Sequence, residues 1–459
     1  MKPVRNLLLF FLVVIFACKK ESFTNNASAI LQTSLDTLHF DTVFTTTGST
    51  SQVIKISNNN NKGIHIASVK LAGGNSSPFK INVDGTPGPQ ANNVDVLAKD
   101  STYIFVTVSI NPSSANLPFI VRDSIEIDYN GNKKFVQLDA FGRNAHFFRN
   151  KKITGTETWT NDLPYVLLGN FTVDTNATLT INQGCQIYMH ADAPFIVNGT
   201  LQVNGQKYDS TRVIFSGDRL DEPYKDFPAS YPGLIFTDAS NNNVINYAII
   251  KNAYQAIVAV NPAASTKLTL NQIIIDNAYD AGIIGVNTSI NATNLLVSNS
   301  GKNIFLSGGN YNFTHCTAAS YSNSFVQHKD PVLFVANYYN GIPLDINAVF
   351  RNCIFWGESN GFVTDEVVVS KQGNTNFNIL FDQVLWRLKN TPTNATINGA
   401  ITNQNPLFDS VNTNQRIYDF HLQANSPAID KGVNTNVTID LDGNPRPVRK
   451  PDLGAYEKQ

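Results

Sequence analysis

The sequence predicts an all-β protein in two parts: a sandwich of short strands, then a long solenoid. Three observations carry this. Apolar residues recur at every second position in run after run, the strand period, and no stretch keeps a helical one. Asn makes up about one residue in eight and stands where the apolar runs end, as suits a residue that tolerates left-handed backbone and bonds nearby peptide groups. In the second half, similar segments return after 25 and then 22 residues, within the range of solenoids and propellers.

Composition narrows the function classes. The 459 residues carry 34 Lys+Arg against 35 Asp+Glu, a net charge of −1, and only 15% are charged, where about 25% is usual. Such neutrality argues against a nucleic-acid partner, which needs a basic footprint, and against a polybasic membrane-surface binder. An apolar content of 42% supports sizeable cores and argues against disorder. Cys18, Cys185, Cys316 and Cys353 are too few for a disulfide scaffold and too scattered for a zinc site.

Residues 1–17 read as a secretory signal: Lys2 and Arg5 precede an apolar run, Leu7–Ala17, far short of the roughly 20 residues that span a bilayer. Ile15-Phe16-Ala17-Cys18 resembles the lipobox of bacterial lipoproteins. The resemblance implies cleavage before Cys18, acylation of Cys18, and a lipidated linker over 18–26. Several acyl chains at about 0.8 kcal/mol per buried CH₂ anchor stably. Lys19-Lys20-Glu21 also resembles the surface-export signals of Bacteroidetes lipoproteins, which points to the outer membrane and its exterior face.

Residues 27–145 form the predicted sandwich. In Thr102–Ile110, Ile104, Val106, Val108 and Ile110 share one face. Ser124–Tyr129 and Lys134–Ala140 pair through Asn130-Gly131-Asn132, a strong hairpin signal because Asn and Gly tolerate positive φ. The motifs Leu38–Phe44, Ile56-Ser57-Asn58 and Leu138–Gly142 together resemble immunoglobulin-like domains of the abnormal-spindle/hydin type, which act as spacers or docking modules. His39 and His65 stand alone and read as surface or packing histidines.

Residues 155–410 form the predicted solenoid. Asn252, Asn277 and Asn299 mark equivalent turns, each followed by a small apolar run. Short strands with Asn at the turn favour a parallel β-helix over a propeller, and stacked amides would bond one another. Ala177–Tyr188 and Phe195–Gly205 resemble the first rungs of right-handed parallel β-helix proteins. Pro232–Phe236 and Gly308–Thr317 resemble the same family in Bacteroidetes. Roughly ten rungs follow from the repeat, about 50 Å at the strand spacing. Residues 218–232 and 324–346 are expected excursions, the second turning at Tyr338-Tyr339-Asn340-Gly341. Cys185, Cys316 and Cys353 are expected in the core.

Residues 411–459 carry Ser426–Gly432, Asp440–Pro447 and Asp452–Glu457, which resemble the choice-of-anchor Q tail of bacterial surface β-helix proteins. Asp440, Asp442, Arg446 and Asp452 are expected to form an ion-paired cap over the last rung, as solenoids require. The alternative for Asp440 and Asp442 is part of a calcium loop, without the EF-hand's twelfth-position Glu. No other cofactor is expected.

The expected function is non-catalytic: a lipid-anchored surface protein that presents its solenoid to extracellular glycan or an envelope protein, with Tyr254, Tyr279, Tyr338 and Tyr339 able to stack on sugar rings. The alternative is a polysaccharide lyase or glycoside hydrolase. Its candidate groups are Asp218, Arg219, Asp221 and Lys225, beside Glu222 and Asp226, with His328-Lys329-Asp330 as a second charged cluster.

Overall fold

The computed structural model describes residues 21–45, 48–111, 119–262, 265–359 and 361–459. The signal, the lipobox and Cys18 lie outside them. The described chain is all-β, with two 3₁₀ turns and no α-helix, so no helix among the described residues is long and apolar enough to cross a membrane. The chain divides into two units between Asn144 and Ala145.

The first unit holds two five-stranded sheets. Alternation along each strand sends one row inward, and rows from both sheets share a single core that includes Ile104, Val106, Val108 and Ile110. Phe119–Tyr129 and Asn132–Arg143 pair antiparallel through Asn130 and Gly131, both at positive φ, as the hairpin signal requires. One pairing departs from the antiparallel expectation: Thr37–Phe44 runs parallel to Asn132–Arg143. That register sets His39 opposite Asp139, and their side chains meet at 2.6 Å. His65 meets Asp95 across another pair at the same distance. Neither histidine is isolated.

The second unit is dominated by a 23-stranded sheet whose strands pair in parallel, typically with the third strand onward. The strands fall into three stacks. One contains Gln186–Met189, Val213–Gly217 and Ala248–Lys251. The next contains Phe195–Val197, Leu234–Phe236 and Gln255–Val260. The third contains Thr178–Asn182, Thr200–Asn204 and Asn243–Asn246. Pairing starts earlier than expected, at His146–Arg149 against Tyr165–Leu168, because Phe147 and Phe148 already supply a strand.

Inward rows from the three stacks merge into one continuous apolar core, and Cys185, Cys316 and Cys353 sit within it. All three are free thiols. Burial raises Cys185 to about 11 and Cys316 well above the usual thiol range.

Left-handed residues turn the chain between stacks. Asn252, Asn277 and Asn299 make one such line, all at positive φ, as their spacing predicts. A second line is held by Tyr247, Gln272, Asn294, His315, Asn352 and Gln383, residues too varied to form a motif.

Two boundaries need correction. The single excursion expected over 324–346 is two, because the apolar run Leu333–Ala336 is itself a rung strand paired with Ile304–Ser307. The C-terminal segment is not a cap over the last rung. It lies along the outside of the first stack, where Leu441, Leu453, Ala455 and Tyr456 pack on Leu296, Ala319, Ile354 and Leu385. The reason is the outward row of that stack, Ile274, Leu296, Thr317, Ile354 and Leu385, which is apolar at every position but Thr317 and needs a cover.

Polar bonds pin the strap across the rungs. Arg212 donates to the Leu441 carbonyl, Asn294 to that of Ile439, and Asn352 to that of Val433. Arg446 and Glu457 form a fully buried pair at 2.9 Å, and Arg446 also reaches Asn294.

Candidate functional site

Two excursions that leave the first stack for the second, over 218–232 and 321–332, converge over the Asn252–Asn277–Asn299 line. Phe227 from the earlier one packs on Phe325 from the later, ring centroids 4.8 Å apart. The turn of the C-terminal hairpin closes over them: Arg416 lies over the Phe325 ring and donates to Asp226 at 3.1 Å. Together they enclose a cleft of about 200 Å³ lined by Asp226, Lys251, Asn252, Asp276, Asn277, Asn299, Asn323, Gln415, Arg416 and Tyr418.

Most amides in the cleft are committed. Asn277 donates to the Asn252 side chain at 2.8 Å and to the Asp226 carbonyl at 3.0 Å. Asn252 donates to the Lys225 carbonyl. Asn277 Oδ1 is buried and accepts nothing from the described residues. Asp276 accepts from Ser298 and Asn299, and burial pushes its carboxyl above the usual range despite them.

The candidate catalytic groups do not gather in this cleft. Asp218 pairs with His190 at 2.7 Å, and burial raises its carboxyl against that pairing. Arg219 grips Asp221 with two nitrogens and stacks over Tyr224. Lys225 pairs with Glu222. These groups mainly satisfy one another and hold the excursion's shape.

His328 is likewise structural: it is buried against Glu366 at 3.0 Å, and Arg387 completes the cluster. A side chain at Gly357 would place Cβ 2.3 Å from Glu366 Oε1, so the cluster requires bare backbone there.

In the strap, Asp440 is buried and accepts from the backbone N–H groups of Asp442, Asn444 and Glu457. Asp442 bonds His421 at 2.9 Å and faces Arg212. Among the described residues no group of three or more His, Cys, Asp or Glu side chains is placed to hold a metal. The Asp442 hydrogen bond, joined by Asp419, raises His421 to about 9.

The tyrosines divide. Tyr254 and Tyr279 are 45% and 53% exposed and stack one rung apart, centroids 6.0 Å. Beside them run Gln255, Asp280 and Lys302, joined by hydrogen bonds of 2.6 and 2.9 Å. Tyr338 and Tyr339 sit elsewhere, on a short hairpin with Ile342–Pro343. Tyr338 is half-buried, its hydroxyl 3.0 Å from Ser370, so of these two it is Tyr339 that faces solvent.

Sequence reading missed the surface that Tyr254 and Tyr279 edge. The outward row of the second stack runs Ile196, Ile235, Val258, Ile284, Phe305, Phe334 and Val368. Every one keeps partial exposure. Phe305 and Phe334 lie flat on each other, 5.3 Å apart and 3° from parallel. The signal was present as apolar residues at every position of short strands, but which of them face outward depends on rung register.

No family model matches the sequence, and no curated protein is significantly similar to it. Similarity to solved structures is slight. A family 123 glycoside hydrolase from Clostridium perfringens, described for glycolipid glycan hydrolysis, is 13% identical over 28% of this chain and 26% of its own, with a TM-score of 0.19. The chain thus spans about a quarter of that hydrolase. The PapD-like domain of human CEP192 is 10% identical over 28% of this chain and 92% of its own, TM-score 0.18. The catalytic unit of a GH87 α-1,3-glucanase from Streptomyces thermodiastaticus is 11% identical over 77% of this chain and 89% of its own, TM-score 0.21. At such scores none of them carries a fold or an activity across.

Proposed function

We propose that this is a surface lipoprotein, anchored at Cys18 in the outer membrane and facing the exterior, whose second unit is a right-handed parallel β-helix that binds extracellular glycan without cleaving it. The first unit is then an immunoglobulin-like spacer. The observation that carries the reading is the outward face of the second stack. Its flat apolar row, edged by the exposed Tyr254–Tyr279 pair and the Gln255–Asp280–Lys302 chain, offers ring faces for sugar C–H groups and polar partners for hydroxyls. The mutual pairing of Asp218, Arg219, Asp221 and Lys225 with their neighbours supports the absence of catalysis there.

One observation favours the alternative, a glycoside hydrolase: the carboxyls of Asp226 and Asp276 line one cleft, burial raising that of Asp276, and hydrolases work with a pair of carboxyls. A glycan array, followed by reducing-end and unsaturated-product assays on every ligand bound, decides between them. Binding without product, weakened by Tyr254→Ala and Tyr279→Ala, is expected. Product formation abolished by Asp276→Asn would replace the proposal with the hydrolase.

A further inference from the structure

The Asn-rich rungs elsewhere close their amides onto one another. In-register neighbours lie about 4.8 Å apart, a spacing that one amide bridges readily. Asn271 donates to Asn246 one rung away at 2.9 Å, and Asn277 to Asn252 at 2.8 Å. The first of these pairs belongs to a longer line. Asn182 pairs in register with Asn204, Asn204 with Asn246, and Asn246 with Asn271.

At the Asn182–Asn204 end the ladder is open. Neither side chain hydrogen-bonds the other or any other described residue. The same holds for Asn161, Gln183 and Gln206 beside them, and these five amides with Thr160 line a hollow of about 370 Å³. No Asp, Glu, Lys or Arg lines it. Five amides therefore present both a donor and two acceptor lone pairs each, at the ends of two paired strands and in the turns beside them, to whatever enters.

We infer that this hollow is a subsite for a neutral glycan chain, with Asn182, Gln183 and Asn204 hydrogen-bonding hydroxyls of successive sugar units. The hydroxyl is both donor and acceptor, so it matches an amide at either end. An acidic sugar finds no cation here to offset the desolvation of its carboxylate. The hollow extends over the rungs of Thr160, Asn182 and Asn204, about 10 Å at the strand spacing, long enough for more than one sugar unit. Because four of the five side chains are exposed and that of Asn182 is partly so, and none of them bonds another described residue, their job is not to hold the fold.

The inference rests on the glycan-binding reading above and is separable from it. The whole chain is titrated with neutral probes (β-glucan, mannan and xylan oligosaccharides) and acidic ones (oligogalacturonate and alginate oligosaccharides). Asn182→Ala/Asn204→Ala and Gln183→Ala are compared with wild type, and thermal unfolding is recorded for each. Affinity for a neutral oligosaccharide that falls at least tenfold in the double variant, with the unfolding temperature unchanged, is the expected result. Neutral binding that survives both variants, or binding of acidic probes alone, overturns this subsite and leaves the general reading standing. A wild-type chain that binds none of the probes overturns both.

Discussion

Asn277 donates its side-chain amide to Oδ1 of Asn252, one rung away, at 2.8 Å, and both residues hold positive φ. The pair joins two demands on one residue type: a left-handed bend without severe strain, and an amide that bonds across rungs. Asn277→Ala removes two side-chain hydrogen bonds worth about 0.5–1.5 kcal/mol each and adds about 1–2 kcal/mol of left-handed strain. A loss of about 2–5 kcal/mol in denaturant unfolding is expected. Asn277→Gly, which avoids the strain, should lose less.

Arg446 and Glu457 are buried together beneath the strap. Removing one partner leaves an uncompensated buried charge, so Arg446→Met should cost about 3–5 kcal/mol. Arg446→Met/Glu457→Leu should recover much of that loss. Equal stability of the single and double variants, read by chemical denaturation, would contradict the pairing.

The two outward apolar rows should respond differently to truncation. Leu385 lies fully buried under the strap, and Leu385→Ala should cost about 2–5 kcal/mol. Phe305 is on the uncovered row and partly exposed, and Phe305→Ala should cost on the order of 1 kcal/mol. Comparable losses would mean that the second row is covered too.

His421 sits between Asp419 and Asp442 with its ring 3.9 Å from Tyr456. Its folded pKa of about 9 exceeds the ordinary 6.5. The stabilisation from its positive charge is therefore fully present below pH 6.5 and lost as pH rises through 9. Unfolding free energy should decline over that window, and His421→Gln should flatten the decline. In Asp442→Asn, the imidazole titration followed by NMR should move to lower pH.

The thiols of Cys185, Cys316 and Cys353 are buried in the rung core. Buried structural thiols are inert, so at pH 8 the folded protein should leave all three unreacted with a disulfide reagent. Reaction should appear only on unfolding. Fast labelling of a folded sample would show that the core opens locally.

Several features were legible because a single residue answers a single local demand. The hairpin at Asn130-Gly131 and the turn line at Asn252, Asn277 and Asn299 both need positive φ, and Asn and Gly are the residues that adopt it cheaply. The second turn line hid because tertiary contacts hold it. His315 bonds Thr435 and Asn352, and its imidazole is held down to about 2 by burial and the nearby Arg446. Nothing in the local sequence marks that residue as a bend.

Local sequence determined the strand period, the apolar interior, the Asn-rich bends and the lone tyrosines at the turns. Those follow from alternation and backbone preference, which act over a few residues. Tertiary structure alone decided which apolar row the C-terminal strap covers and which stays open. It also decided that Asp226 and Arg416 meet across 190 residues, and that the amides of Asn182 and Asn204 remain unpaired while those of Asn246 and Asn271 close. Each of these depends on rung register and on chain returning from far away, where one residue's shift sends a side chain to the opposite face.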